Sequence, residues 1–102
     1  MLMELVAHRS YHDMTYPIQF WRTRTGLDVD FILGEGEVAI EVKGTNRVDS
    51  RDLRPLLTFL DEYHPRQAIV VCNERTERVI GPITIKPWRV FLQELWGDKI
   101  MA

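Results

Sequence analysis

No apolar run in this sequence approaches the roughly 18 residues that a membrane span needs. The opening stretch, Met1 to Asp13, turns polar too early for a signal peptide. Cysteine occurs once, at Cys72, so no internal disulfide can form, which fits a reducing, cytoplasmic setting. Cys72 lies in the apolar run Gln67–Cys72 and is expected as a buried strand thiol. Positive charge is not in excess: 13 Lys and Arg face 15 Asp and Glu, a net charge of −2. That balance excludes a protein that holds DNA by bulk electrostatics alone. No GxxxxGK[ST] motif is present, and with it goes an ATP site of the usual kind. Repeats, low-complexity tracts and internal linkers are missing too. What is left, in 102 residues, is room for one domain with one core and one sheet.

The hydrophobic pattern divides the chain into short elements. Leu2, Leu5 and Val6 have helical spacing, so residues 2–12 are expected as a helix. It has no N-cap and no lead-in, as if it were the tail of a longer helix, and the chain reads as a fragment or remnant of a larger protein. Residues 18–23 are aromatic and β-branched and read as a strand. Residues 27–33 and 38–43 follow as two strands joined by the turn signal Gly34-Glu35-Gly36-Glu37. After a loop over 44–49, Ser50 is placed to cap a helix with apolar positions Leu53, Leu56, Leu57 and Leu60, ended by His64-Pro65. Residues 67–72 form a strand, and residues 79–86 an extended piece broken by Gly81-Pro82. Pro87 opens a last helix with Trp88, Phe91, Leu92, Leu95 and Trp96 on its apolar side and Gly97 at its end. The order implies an α/β domain. An antiparallel three-stranded meander is joined to a βαβ crossover in one mixed sheet with flanking helices.

Within the hairpin, side chains alternate between faces. A turn centred between Glu35 and Gly36 pairs Phe31 with Ile40, Leu33 with Val38 and Val29 with Val42, all on one apolar face. A slip of one residue would set the apolar side chains of one strand opposite the polar ones of the other, so the pattern selects this register. The same register sets Asp30 opposite Glu41 and Asp28 opposite Lys43 on the other, solvent-facing side.

Opposed carboxylates repel across a sheet. The repulsion is relieved by a divalent cation, a shared proton or a nearby base, and Lys43 sits two residues from Glu41. An oxygen-only pair suits Mg²⁺ or Mn²⁺. A metal held there would polarise a phosphate and activate water, and Lys43 would steady the developing charge. The bland alternative is a solvated polar face with Asp28 paired to Lys43.

Asp30 followed by Glu41-Val42-Lys43 on adjacent strands resembles the PD-(D/E)xK restriction-endonuclease-like superfamily, whose helix, three strands, helix, strand core has the same order. More narrowly, the chain resembles the C-terminal domain of many prokaryotic AAA-type P-loop ATPases, known as domain of unknown function 4143. The likeness rests on Phe20-Trp21-Arg22-Thr23, Gly26-Leu27-Asp28-Val29-Asp30-Phe31, Ala39-Ile40-Glu41-Val42-Lys43, Ala68-Ile69-Val70-Val71 and Pro87-Trp88 before Phe91-Leu92. It implies Asp30 and Glu41 as metal ligands, the Val42 carbonyl as a further ligand and Lys43 as the catalytic lysine. It also implies an acid from the first helix, for which Glu4 is the candidate here. A nucleic-acid substrate and an ATPase partner follow from the same resemblance.

Further candidates carry weaker patterns. His8 and His12, spaced i,i+4, with Asp13 have the types for Zn²⁺ but read better as a solvated helix end. Arg22, Arg24 and Arg47, with Arg51 and Arg54, are candidate phosphate contacts. His64 reads as structural, and the three tryptophans as core or interface. The apolar side of the last helix exceeds what so small a domain easily covers, which points to a homodimer. Two functions stay open: a metal-dependent phosphodiesterase, or a non-catalytic docking, dimerisation or nucleic-acid-binding module that keeps the nuclease fold.

Overall fold

A computed structural model describes residues 1–11, 16–22 and 26–101. Among the described residues nine elements follow one another. Helix α1 (Leu2–Tyr11) precedes strands β1 (Ile18–Arg22), β2 (Asp28–Leu33) and β3 (Val38–Val42). Helix α2 (Arg54–Glu62), strands β4 (Gln67–Cys72), β5 (Arg78–Ile80) and β6 (Ile83–Pro87) and helix α3 (Trp88–Trp96) complete the order. They build a six-stranded open mixed sheet in the order β1-β2-β3-β4-β6-β5. β1, β2 and β3 form the expected antiparallel meander, and β3 and β4 run parallel with α2 between them in sequence. The extended piece after residue 78 is a hairpin of two strands, because Gly81 takes the left-handed φ of +56° that turns β5 back onto β6.

Both faces of the sheet are buried. On one, Leu33, Val38, Ile40, Ile69 and Val71 pack with Leu5 of α1 and with Phe91 and Leu95 of α3. On the other, Ile32, Ala39, Ala68, Val70 and Ile85 pack with Leu53, Leu56 and Phe59 at α2. The hairpin is therefore not half solvated as its alternation suggested. Ile32 and Ala39, which alternate with acids in sequence, are 5% and 0% exposed because α2 covers them.

The start of α2 departs from the Ser50 cap. Asp49 and Asp52 cap the turn reciprocally: the Asp49 carboxylate accepts the Asp52 and Arg51 N–H groups, and the Asp52 carboxylate accepts the Asp49 N–H. The pair has the reciprocal pattern of a capping box one residue earlier than Ser50, but it closes the turn ahead of α2, whose own N-cap, Leu53, has no side-chain cap bond. Phe91 and Leu95 are fully buried, and Trp88 and Leu92 pack on the same core, whereas Trp96 stays 37% exposed, so most of the apolar side of α3 is covered within the chain.

Phe91→Ala should cost about 3–5 kcal/mol by cavity formation, whereas Val79→Thr, on the exposed edge strand β5, should change stability by less than about 0.5 kcal/mol. Urea unfolding of the two variants checks the contrast.

Candidate functional site

The site is made by an irregularity in β2. Along β1, Gln19 pairs with Ile32 but Trp21 pairs with Val29, so Asp30 and Phe31 together face the single residue Phe20. Such a bulge reverses the side of every residue beyond it. Val29 consequently packs with Ile32 and Trp21 on the α2 side, not opposite Val42 as the alternation predicts. Phe31 still faces Ile40 and Leu33 faces Val38, the predicted register. At the bulge the ladder hands over to a side chain: Oδ2 of Asp30 accepts the backbone N–H of Val42 at 2.8 Å.

Asp30 and Glu41 are thus brought together, as the sequence implied, but not on a solvent-facing side. Glu41 pairs by register with Val70, on the face that α2 covers, and is only 3% exposed. Its Oε2 is a buried oxygen with no hydrogen-bond partner. Burial, with the adjacent Asp30 carboxyl adding to it, pushes the Glu41 carboxyl up to about 9, against the opposing pull of the Lys43 charge. At neutral pH the resting site therefore carries a proton on Glu41. Lys43 is half-buried beyond the end of β3, where its N–H donates to the Val71 carbonyl at 2.9 Å.

The other candidates scatter. Asp28 is bound by Arg22, with Nε–Oδ1 at 2.9 Å and Nη2–Oδ2 at 3.3 Å, and not by Lys43: the bulge turns Asp28 toward β1. Arg22 is thereby an ion-pair partner rather than a free phosphate arm. Arg22, Asp28 and Asp30 line a cleft of about 370 Å³ beside the bulge. Glu4 of α1 accepts the Trp96 indole N–H at 3.2 Å, and α1 lies on the sheet face opposite Glu41. Arg47 is exposed in the loop after β3. Arg24, His12 and Asp13 lie outside the described residues. His8 is no solvated helix end: it is fully buried, with Nδ1 against the Tyr16 hydroxyl and Nε2 against Asp98 Oδ1 at 3.0 Å. Among the described residues no group of three His, Cys, Asp or Glu side chains is assembled for a metal.

Sequence reasoning missed two ionic groups, one half-buried and one around a buried lysine. Glu74 accepts two N–H bonds from Arg78 and one from Val48, which hold its carboxyl down at about 2. Lys86, 6% exposed, donates to Glu77 and Glu94. The Glu74–Arg78 spacing of four was visible in the sequence, but in a loop it carries no meaning without the fold.

The Glu41 shift has a definite pH signature. Between the ordinary 4.5 and about 9 the folded chain keeps a proton that the unfolded chain has released. Stability is then greatest below about pH 4.5 from this group and falls as pH rises toward 9, by up to ~1.4 kcal/mol per pH unit. Thermal melts across that range should show the decline, and Glu41→Gln, neutral and isosteric, should flatten it.

No solved structure matches the chain, and no curated protein does either. No helix among the described residues is long and apolar enough to cross a membrane. The family model described as a domain of unknown function (DUF4143) matches residues 1–91. With that match across most of its length, and with the Asp30, Glu41 and Lys43 constellation inside it, the chain belongs to the DUF4143 family.

Proposed function

We propose that this chain is a nuclease-like domain of the PD-(D/E)xK type, a metal-dependent phosphodiesterase working beside a P-loop ATPase. The observation that carries the reading is the buried, unpartnered Oε2 of Glu41 next to Asp30. A natural core rarely keeps an orphan carboxyl oxygen without a use for it. The donor set fits a hard divalent cation: two carboxyls and the Val42 carbonyl, all oxygen, with water completing the shell, as Mg²⁺ and Mn²⁺ prefer. Asp30, Glu41 and Val42 would hold the ion, which supplies Lewis-acid polarisation of a phosphate and a more acidic bound water.

The remaining roles fall to the chain. Asp30 is fixed by the Val42 N–H, so its second oxygen keeps a set direction. Glu41 would release its proton in order to hold a cation, since a bound positive charge would relieve the pair as the proton does. Lys43 keeps a positive charge close to that pair, placed to steady charge building on a phosphate oxygen.

The second reading, a non-catalytic docking or nucleic-acid-binding module, is favoured by one specific observation. Glu4, the first-helix acid, is engaged by Trp96 on the other face, so no first-helix acid joins Asp30 and Glu41, and the described residues assemble no three-ligand group.

Mn²⁺ at about millimolar concentration should raise the melting temperature of the wild type by linkage, and more at pH 8 than at pH 6 because a proton leaves as the ion binds. Asp30→Asn should abolish that response. Plasmid or single-stranded DNA incubated with Mn²⁺ should be cut by the wild type and at least about a hundredfold more slowly by Glu41→Ala or Lys43→Ala. Melts indifferent to Mn²⁺, with no cleavage, would establish the docking module.

A further inference from the structure

The parallel strands β3, β4 and β6 end side by side, and ligands of open α/β sheets gather outside such carboxyl ends. Here two depressions adjoin, of about 460 and 510 Å³, sharing Asn73, Glu74 and Arg75. The first extends to Trp88 and Arg89 at the start of α3, the second to Asn46 and Arg47 after β3. Backbone bonds zip the trough to the strand carrying Glu41 and Lys43: Lys43 N–H to the Val71 carbonyl and Asn73 N–H to the Thr45 carbonyl, each 2.9 Å.

The charge of the trough is one-sided. Glu74, its one acid, is already neutralised by the paired bonds from Arg78 and by the Val48 N–H. Arg47, Arg75 and Arg89 are exposed, and no ion pair among the described residues engages them. Three guanidinium groups, amide donors from Asn46 and Asn73, and the half-buried Trp88 indole make a donor-rich wall with an aromatic plane. Such walls take phosphates with unstacked bases. Bases stacked inside a duplex cannot reach an indole in a depression of this size, whereas those of a single strand can.

We propose that this trough binds a single-stranded nucleic acid, with Arg47, Arg75 and Arg89 on successive phosphates and Trp88 beside a base. The inference rests on the phosphodiesterase reading for its direction, since it names the polymer that the neighbouring Glu41 and Lys43 would meet. Binding itself needs no metal. It also accommodates the net charge of −2: a local cluster of three arginines gives weak, salt-sensitive binding rather than a basic protein's tight grip.

The test is fluorescence anisotropy of a labelled oligothymidine of about 20 nucleotides, titrated with the full chain in EDTA, with salt varied from about 50 to 200 mM. Three phosphate contacts predict a log–log salt slope of about −2 for a single strand. Arg75→Glu with Arg89→Glu should weaken binding at least about tenfold while leaving the circular dichroism unchanged, and Arg47→Glu alone should weaken it less. Binding in EDTA by a wild type that does not cut DNA overturns only the catalytic reading and leaves the trough standing. No binding by the wild type, or equal binding by the double variant, overturns the trough. Displacement of the oligonucleotide by micromolar adenosine monophosphate would also overturn it, in favour of a mononucleotide pocket.

Discussion

The register of β2 against β3 is the constraint on which the rest of the molecule depends. Phe31 opposite Ile40 and Leu33 opposite Val38 put four large side chains on the α1 and α3 side of the sheet, while Ile32 opposite Ala39 serves the α2 side. A slip of one residue would exchange the two sets, expose one core and bury acids in the other. Gly34 and Gly36 make the connection by adopting positive φ, +68° and +75°, so the turn itself holds the count. Once that pairing is fixed, Glu41 must point toward α2, and the place where a carboxyl is buried follows from the place where two apolar ladders are aligned.

The bulge at Asp30 is what makes that burial tolerable and useful. A regular β2 would continue the ladder past Phe31 and carry Asp30 and Val29 in strict alternation. The extra residue instead lets the Asp30 carboxylate take the Val42 N–H, a donor that would otherwise be idle at the end of the pairing. It also moves Val29 into the α2 core beside Trp21, whose ring meets Phe59 edge-on at 5.2 Å. One inserted residue thus fixes the edge strand, aims one acid and leaves the other crowded against it.

Much of this was legible in the sequence, and the parts that were not share a cause. The turn signal and the alternation around it gave the register, the meander and the facing of Asp30 and Glu41. The apolar helix patterns gave α2 and α3 to within a few residues. Alternation could not reveal the bulge, because an inserted residue in one strand leaves no mark on composition. Nor could it distinguish a polar face in water from one roofed by α2: Asp, Glu and Lys alternate with Ile32 and Ala39 in both cases, and only the distant Leu53, Leu56 and Phe59 decide. The same blindness to long-range contact hid His8, whose partners Tyr16 and Asp98 lie 8 and 90 residues away. The cover of most of α3 was hidden likewise, because Phe91, Leu95, Trp88 and Leu92 pack on the sheet face that α1 shares, while Trp96 alone of the five stays exposed.

Two glutamates of the same small domain, Glu41 buried and Glu74 half-buried, separate structural need from chemical readiness. Glu74 sits at the loop after β4 with every oxygen engaged, two bonds to Arg78 and one to Val48, and its carboxyl is held down at about 2. Its charge ties the loop after β4 to the loop at Val48 and to the start of β5, and an incoming cation would find no free oxygen. Glu41 has the opposite environment: burial and the neighbouring Asp30 push its carboxyl up to about 9, and Oε2 meets no donor. A group in that state costs stability as it stands, and the cost is removed by whatever supplies a positive charge at the pair. Lys43, close by, supplies part of it and not enough to restore an ordinary carboxylate. The same chain thus satisfies Glu74 fully and leaves one oxygen of Glu41 without a donor, so of the two only Glu41 keeps an oxygen open to a further partner.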